Sequence, residues 1–133
     1  MPNIVNRASA VQPQTFKQAT ASALGSTAVW TPGTGNKFRL LKYRIMVSAD
    51  SYLASAGELT ISLLDAAASI AISYVIALAG AAPSGTGAIY DTGWVDLGTF
   101  GITSSAANNV LNVNLGTALA GGKINVLVAG VEV

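Results

Sequence analysis

The chain has 133 residues, of which seven are basic and six are acidic, giving a net charge of +1 at pH 7. An average soluble domain of this length carries about 33 charged residues, so we expect much of the folded surface to contact other protein. The sequence contains no cysteine and no histidine. Their absence excludes disulfides, thiol nucleophiles, serine–histidine mechanisms and nearly every zinc site. We therefore expect neither an enzyme nor a cofactor.

The N-terminal residues 1–23 are polar and show no sustained periodicity, which predicts an extended N-terminal arm before a single domain of residues 24–133. The arm lacks the apolar stretch of a signal peptide, so we expect the protein to stay in the cytoplasm, where it is made, or to leave the cell by lysis. Phe16 and Lys17 are its candidate partner-binding residues. The nearly balanced charge also argues against a nucleic-acid partner.

The clearest predicted strand is KFRLLKYRIMVSA, residues 37–49. Its apolar residues alternate with polar ones, and the doubled Leu40-Leu41 predicts a β-bulge that shifts the phase by one residue. Leu40 and Leu41 are then both expected to face inward. The opposite face carries a basic stripe of Lys37, Arg39, Lys42 and Arg44. This stripe is a solvated face, a nucleic-acid contact or a docking surface for an acidic protein.

Further strands are predicted at residues 58–66, 69–79, 88–100 with a kink at Gly93, 108–116 and 123–133. The uncharged segment 66–82 has 17 residues, whereas a membrane-spanning helix needs about 20, and its strict alternation favours a buried strand. Seven or eight short strands separated by turn residues are typical of an antiparallel β-sandwich or barrel. We expect self-association through faces such as 69–79 and 123–133.

Two groups of acidic residues match patterns that are used in hydrolytic enzymes. Asp91-Thr92-Gly93 matches the tripeptide of aspartic proteases, but Trp94 follows it, and the alternative is a strand that carries a turn. Asp91 and Asp96 flank Trp94, a combination that could bind or hydrolyse sugars. On an ideal strand these two carboxylates would lie on opposite faces.

The segment GSTAVWTPGTGNKFRLLKYRIMVSA, residues 25–49, leads from a Trp-Thr-Pro-Gly turn into a basic and aromatic strand. In this pattern of turn and strand residues, and in its cysteine-free, Ala/Gly/Ser/Thr-rich composition, the chain resembles small virion proteins of tailed bacteriophages, in particular head decoration or cement proteins. The resemblance implies a jelly-roll or related β-sandwich, often trimeric, fixed on the outside of the capsid. The resemblance assigns no functional residue of that family to a position in this sequence.

The sequence therefore predicts a capsid decoration protein that forms a homo-oligomer on the virion surface. Its partner would be the major capsid protein or another virion protein, contacted by Arg39, Lys42 and Arg44 together with the arm. The alternative is a phage tail-tip or fibre domain that binds a host surface glycan through Trp94, Trp30 and Tyr90. A hydrolase using Asp91 and Asp96 would need them to converge in a pocket with a raised pKa.

Overall fold

The computed structural model describes residues 14–49, 57–78, 88–119 and 122–133. Within these ranges the chain forms ten strands and no helix, so no described segment is a helix able to cross a membrane. The strands are β1 (Thr15–Ala21), β2 (Gly25–Trp30), β3 (Phe38–Ala49), β4 (Gly57–Asp65), β5 (Ala68–Leu78), β6 (Ala88–Asp91), β7 (Val95–Asp96), β8 (Ile102–Thr103), β9 (Leu111–Leu115) and β10 (Lys123–Glu132).

The strands form two antiparallel sheets packed around one apolar core, which confirms the predicted all-β sandwich. Sheet A has the order β1-β10-β3-β6, and β7 and β8 pair with β3 further along the same side. Sheet B has the order β2-β9-β4-β5. Strands β10 and β3 of sheet A and β9 and β4 of sheet B are therefore paired on both sides.

Alternating apolar residues place one face of each interior strand in the core. In β9, Leu111, Val113 and Leu115 are fully buried, whereas Asn112 and Asn114 are partly exposed. Burying one such apolar side chain contributes roughly 1.5–3 kcal/mol. Strand β4 follows the same pattern, as predicted, and its fully buried residues are Leu59, Ile61 and Leu63.

The β-bulge predicted at Leu40-Leu41 is present in β3. Lys42 pairs with Ala129 of β10 and Leu40 pairs with Gly130, so Leu41 has no partner in β10. The expectation that Leu41 faces the core is wrong. Since Leu41 is the extra residue, it is left partly exposed, whereas Leu40 is fully buried.

Part of the segment assigned to the N-terminal arm belongs to the sandwich. Residues 15–21 form β1, which pairs with β10 from Thr15 opposite Gly130 to Ala21 opposite Ile124. Most of its side chains are exposed, so backbone hydrogen bonding rather than an apolar pattern holds it in the sheet. Residues 1–13 lie outside the described part of the chain.

The two segments proposed as oligomer faces have different positions in the sheets. The segment 123–133 contains β10, which lies between β1 and β3, so neither of its edges is open to another chain. The other segment, 69–79, overlaps β5 at an edge of sheet B. In β5, Ile72 is buried and Ser73 and Val75 are exposed. The predicted alternation is therefore present, but the expectation of a buried strand holds for one face only, because β5 lies at the edge of its sheet.

Candidate functional site

The basic stripe predicted on β3 lies on the outer face of sheet A, turned away from the core. Arg39, Lys42 and Arg44 pair with alternate residues of β10, in the order Val131, Ala129 and Leu127. Directly opposed residues of antiparallel strands share a face. The bulge at Leu41 therefore keeps the three cations on one side of the sheet.

One row of residues crosses this outer face. Phe16 of β1 lies opposite Ala129 of β10, Ala129 lies opposite Lys42 of β3, and Lys42 lies opposite Asp96 of β7. Although Ala129 points outward, it is fully buried. Its small side chain leaves room for the larger side chains on either side to close over it.

Lys42 contacts two exposed aromatic rings in this row. Its Nζ lies 5.5 Å from the centre of the Phe16 ring and 5.1 Å from the centre of the Trp94 ring. The two rings meet edge to face with their centres 6.3 Å apart, the geometry that their quadrupoles favour. Phe16 remains 61% exposed and Trp94 43% exposed. We refer to these three residues as the cation–aromatic cluster.

Two depressions flank the cation–aromatic cluster. The larger, the polar groove, has a volume of about 580 Å³. The smaller, the apolar cleft, has a volume of about 150 Å³. The polar groove is lined by Gln14, Leu41, Lys42, Asp96, Gly98 and Thr99. The apolar cleft is lined by Phe16, Lys17, Gln18, Trp94, Leu127 and Val128. Phe16, Lys17 and Lys42, predicted as partner-binding residues, thus lie in one neighbourhood.

Two further basic residues of the stripe, Arg44 and Arg39, hold neighbouring segments in place. Arg44 makes a two-pronged ion pair with Asp91, with its Nη2 2.5 Å from Oδ2 and its Nε 3.0 Å from Oδ1. Hydrogen bonds from Arg44 and then from the Gly93 amide lower the pKa of Asp91 to about 2. The same bond raises the pKa of Arg44. Arg39 Nε donates to Thr103 Oγ1 at 3.1 Å.

The Asp91-Thr92-Gly93 tripeptide forms a turn that fastens the end of β6 to β3. Thr92 Oγ1 accepts a hydrogen bond from the Ile45 amide at 3.0 Å and donates one to the Gly93 carbonyl at 2.7 Å. Gly93 has a positive φ of 65°, a backbone conformation that glycine adopts without strain. These contacts give the tripeptide a structural role and explain the predicted kink at Gly93.

The expectation that Asp91 and Asp96 lie on opposite faces is wrong. Asp91 pairs with Met46 and Asp96 pairs with Lys42, so the turn between them resets the alternation and both face outward. Their partners are four residues apart on β3, about 13 Å along a strand. Asp91 also has a lowered pKa, whereas the predicted hydrolase needs a raised one. This geometry does not support paired-carboxylate chemistry.

The aromatic shelf predicted for glycan binding has a different composition in the structure. Trp30 is 1% exposed and packs against Phe38 in the core, so it cannot contact a ligand. Tyr90 packs against the core and against Tyr74. Trp94 is exposed as predicted, but the aromatic ring that it contacts on the surface belongs to Phe16 and not to Trp30 or Tyr90.

Sequence reasoning named Phe16 and Trp94 separately and missed their contact. Their proximity depends on β1 joining sheet A next to β10, and β1 shows no strand pattern. Sequence reasoning also missed Asp65, a buried carboxylate that accepts hydrogen bonds from the Ser105 amide at 2.6 Å and from Asn109 Nδ2 at 2.9 Å. Asp65 fastens the loop before β9 to the end of β4.

The fold and this outer face define a β-sandwich with an exposed cation–aromatic cluster between two depressions. Among the described residues, no group of three or more acidic side chains is placed to hold a metal ion. Comparisons with known proteins find no matching family, curated protein or solved structure.

Proposed function

We propose that the protein is a capsid decoration protein of a tailed bacteriophage, which docks on the shell through the outer face of sheet A. It acts as a structural protein on the virion surface and has no catalytic site. Its partner is the major capsid protein or another virion protein, and it associates with further copies of itself; the number of copies that the resemblance implies is three.

The order of the strands supports the jelly-roll form of the sandwich. Strands β6, β7 and β8 pair in turn with successive parts of β3, so they act as one interrupted strand. With these three merged, the described residues form eight strands, four to a sheet. Such an order is expected of the double Greek key of a jelly roll, an architecture common in viral capsid and lectin domains, and it supports that form of the sandwich. A fold alone does not establish a function.

The observation that carries the proposal is the exposed cation–aromatic cluster. Large aromatic side chains are enriched in the buried centres of protein interfaces. Phe16 and Trp94 are held by their contact with Lys42, so little side-chain freedom is lost when a partner covers them. Arg39 further along β3 adds positive charge to this face, which favours an acidic patch on the partner, whereas Lys17 lies on the opposite side of β1 from Phe16.

The proposal is tested by co-sedimentation with purified capsids that lack the protein. Phe16→Ala and Trp94→Ala should each weaken binding about 30-fold, the effect of losing a central interface residue worth about 2 kcal/mol. Leu24→Ala is the matched control, because Leu24 is also exposed, at 67%, but is not part of the cluster. If both cluster variants bind as the wild type does, docking through this face is wrong.

The polar groove favours a second candidate function, binding of a host surface glycan in a tail-tip or fibre domain. Gln14, Lys42, Asp96 and Thr99 offer an amide, an ammonium, a carboxylate and a hydroxyl group around one depression, and Trp94 stands beside it in contact with Lys42. Asp96→Asn separates the two candidates in a glycan-binding screen. It should abolish glycan binding if the groove holds a sugar, and leave capsid binding intact if the cluster docks on the shell.

A further inference from the structure

Among the described residues, strand β5 is an edge strand of sheet B. It pairs with β4 along one side, and no described residue pairs with the other. Its register with β4 shifts near its start, between Ser69 and Ile72, and is then continuous from Ile72 to Leu78. The sequence from Ala68 to Leu78 contains no charged residue and no proline.

The other described edges carry features that hinder pairing with another chain. Edge strands are usually blunted by shortness, interruption or a charged residue that points inward. Lys17 of β1 lies opposite the core residue Val128, on the inward side of its strand. Strand β2 has six residues against the eleven of β5, and the far side of β3 is covered by the three separate pieces β6, β7 and β8.

The core is also incompletely covered at the β5 edge. On β4, the three inward side chains are fully buried, whereas on β5 Ile72 is 7% exposed and Tyr74 is only partly buried. On the outer side of the same strand, Val75 is 59% exposed. A further strand placed beside β5 would cover apolar surface that the single chain leaves in contact with water.

We infer that this further strand is β5 of a second copy, paired antiparallel about a two-fold axis. In such a pair each residue approaches its own symmetry mate or a near neighbour, so an uncharged strand brings no like charges together. The inward faces of both copies stay on the same side of the joined sheet, which makes the two cores continuous. The two four-stranded B sheets become one eight-stranded sheet.

This interface is independent of the proposed capsid docking, because docking uses sheet A. It makes the protein a dimer, whereas the resemblance to decoration proteins implies a trimer. The mass of the protein in solution therefore tests the β5 interface, and binding to capsids tests the docking face. Either proposal can fail without the other.

The experiment measures mass by sedimentation over a range of protein concentrations. Val75→Lys places a charge at the centre of the continuous segment, and two such charges near the two-fold axis should weaken dimerisation about tenfold or more. Val75→Thr exchanges one methyl group for a hydroxyl group, keeps a β-branched, uncharged residue and should leave the dimer largely intact. Ala28→Lys adds the same charge to exposed β2, at the other edge of sheet B, and should also leave it intact.

Each outcome decides the inference. A wild-type dimer that Val75→Lys dissociates, and that Ala28→Lys does not, supports β5 pairing. A wild-type monomer at all concentrations, a trimer, or a dimer unaffected by Val75→Lys overturns it. Ser73→Lys, at another exposed residue of β5, is the second variant if Val75→Lys does not fold, and circular dichroism checks the fold of each.

Discussion

The hydroxyl groups of Tyr43 and Tyr74 share a hydrogen bond that joins the two sheets through the core. Tyr43 is on β3 of sheet A and is 5% exposed, whereas Tyr74 is on β5 of sheet B. Burial, followed by the bond to Tyr74, raises the pKa of Tyr43 well above its ordinary value of 10. Tyr43 is therefore neutral and forms a polar link to Tyr74 within an apolar interior.

Removing either hydroxyl group should destabilise the fold. Tyr43→Phe leaves the Tyr74 hydroxyl without this partner, and Tyr74→Phe does the reverse, so each should lower the free energy of unfolding by about 1 kcal/mol. The double variant should lose less than the sum of the two, because one hydrogen bond is removed in all three. Urea denaturation measures the cycle. Strictly additive losses would show that the two hydroxyl groups do not interact.

The same pair predicts a loss of stability in alkaline solution. The pKa of Tyr43 is higher in the folded chain than the value of about 10 in an unfolded chain, so folding favours its neutral form. The resulting stabilisation is complete below pH 10 and disappears as the pH rises above 10 toward the folded pKa. Denaturation of the wild type and Tyr43→Phe between pH 9 and about 11.5 isolates this effect. Curves that stay parallel throughout would contradict it.

The ion pair between Arg44 and Asp91 predicts the opposite dependence in acid. The pKa of Asp91 is lowered from 3.8 to about 2, so its contribution to stability is present above pH 4 and is lost as the pH falls through 2. NMR titration of the carboxyl groups should give Asp91 a midpoint near 2 in the wild type. In Arg44→Gln, the midpoint should rise toward the ordinary value. An unchanged midpoint would mean that Arg44 is not the cause.

Gly130 should not tolerate a side chain, because it lies at the bulge between β10 and β3. A β-carbon there would be 2.0 Å from the Arg39 carbonyl oxygen and 3.0 Å from the Trp30 ring. Gly130→Ala should therefore cost about 3 kcal/mol of unfolding free energy, the upper range for overpacking a core. Gly116→Ala is the control, since its nearest contact would be 3.4 Å from Thr60. Thermal unfolding compares the two, and equal melting temperatures would refute the clash.

The strands that the sequence predicts well are those whose two faces differ. Strands β4 and β9 bury one face completely and expose polar residues on the other, so alternation alone locates them. The bulge in β3 was also visible, because Leu40 and Leu41 interrupt the alternation. The sequence does not predict which face of the sheet Leu41 occupies, because the pattern cannot say which of two neighbouring leucines is the extra residue.

What the sequence could not predict depends on pairing between distant segments. Strand β1 exposes most of its side chains and is held by its backbone to β10, so no apolar pattern marks it. The contact between Phe16 and Trp94 depends on that pairing. Asp91 and Asp96 share a face because the turn at Gly93 shifts the alternation of side chains between β6 and β7. This shift becomes visible only when both strands are paired with β3.

Two truncations should separate the arm from the strand that follows it. Deletion of residues 1–13 leaves every pair between β1 and β10 in place, so the free energy of unfolding should stay within about 0.5 kcal/mol of the wild type. Deletion of residues 1–21 removes β1, opens the edge of β10 and exposes Val126 and Val128, and should cause aggregation.

The shorter deletion also bears on docking. The sequence predicts that the N-terminal arm contacts the shell together with the basic stripe, so the protein lacking residues 1–13 should remain folded yet bind capsids more weakly than the wild type. Sedimentation with capsids and urea denaturation of the same preparation measure both properties. Normal capsid binding by this variant would leave docking to the cation–aromatic cluster alone. Loss of stability would show instead that residues 1–13 contribute to the sandwich itself.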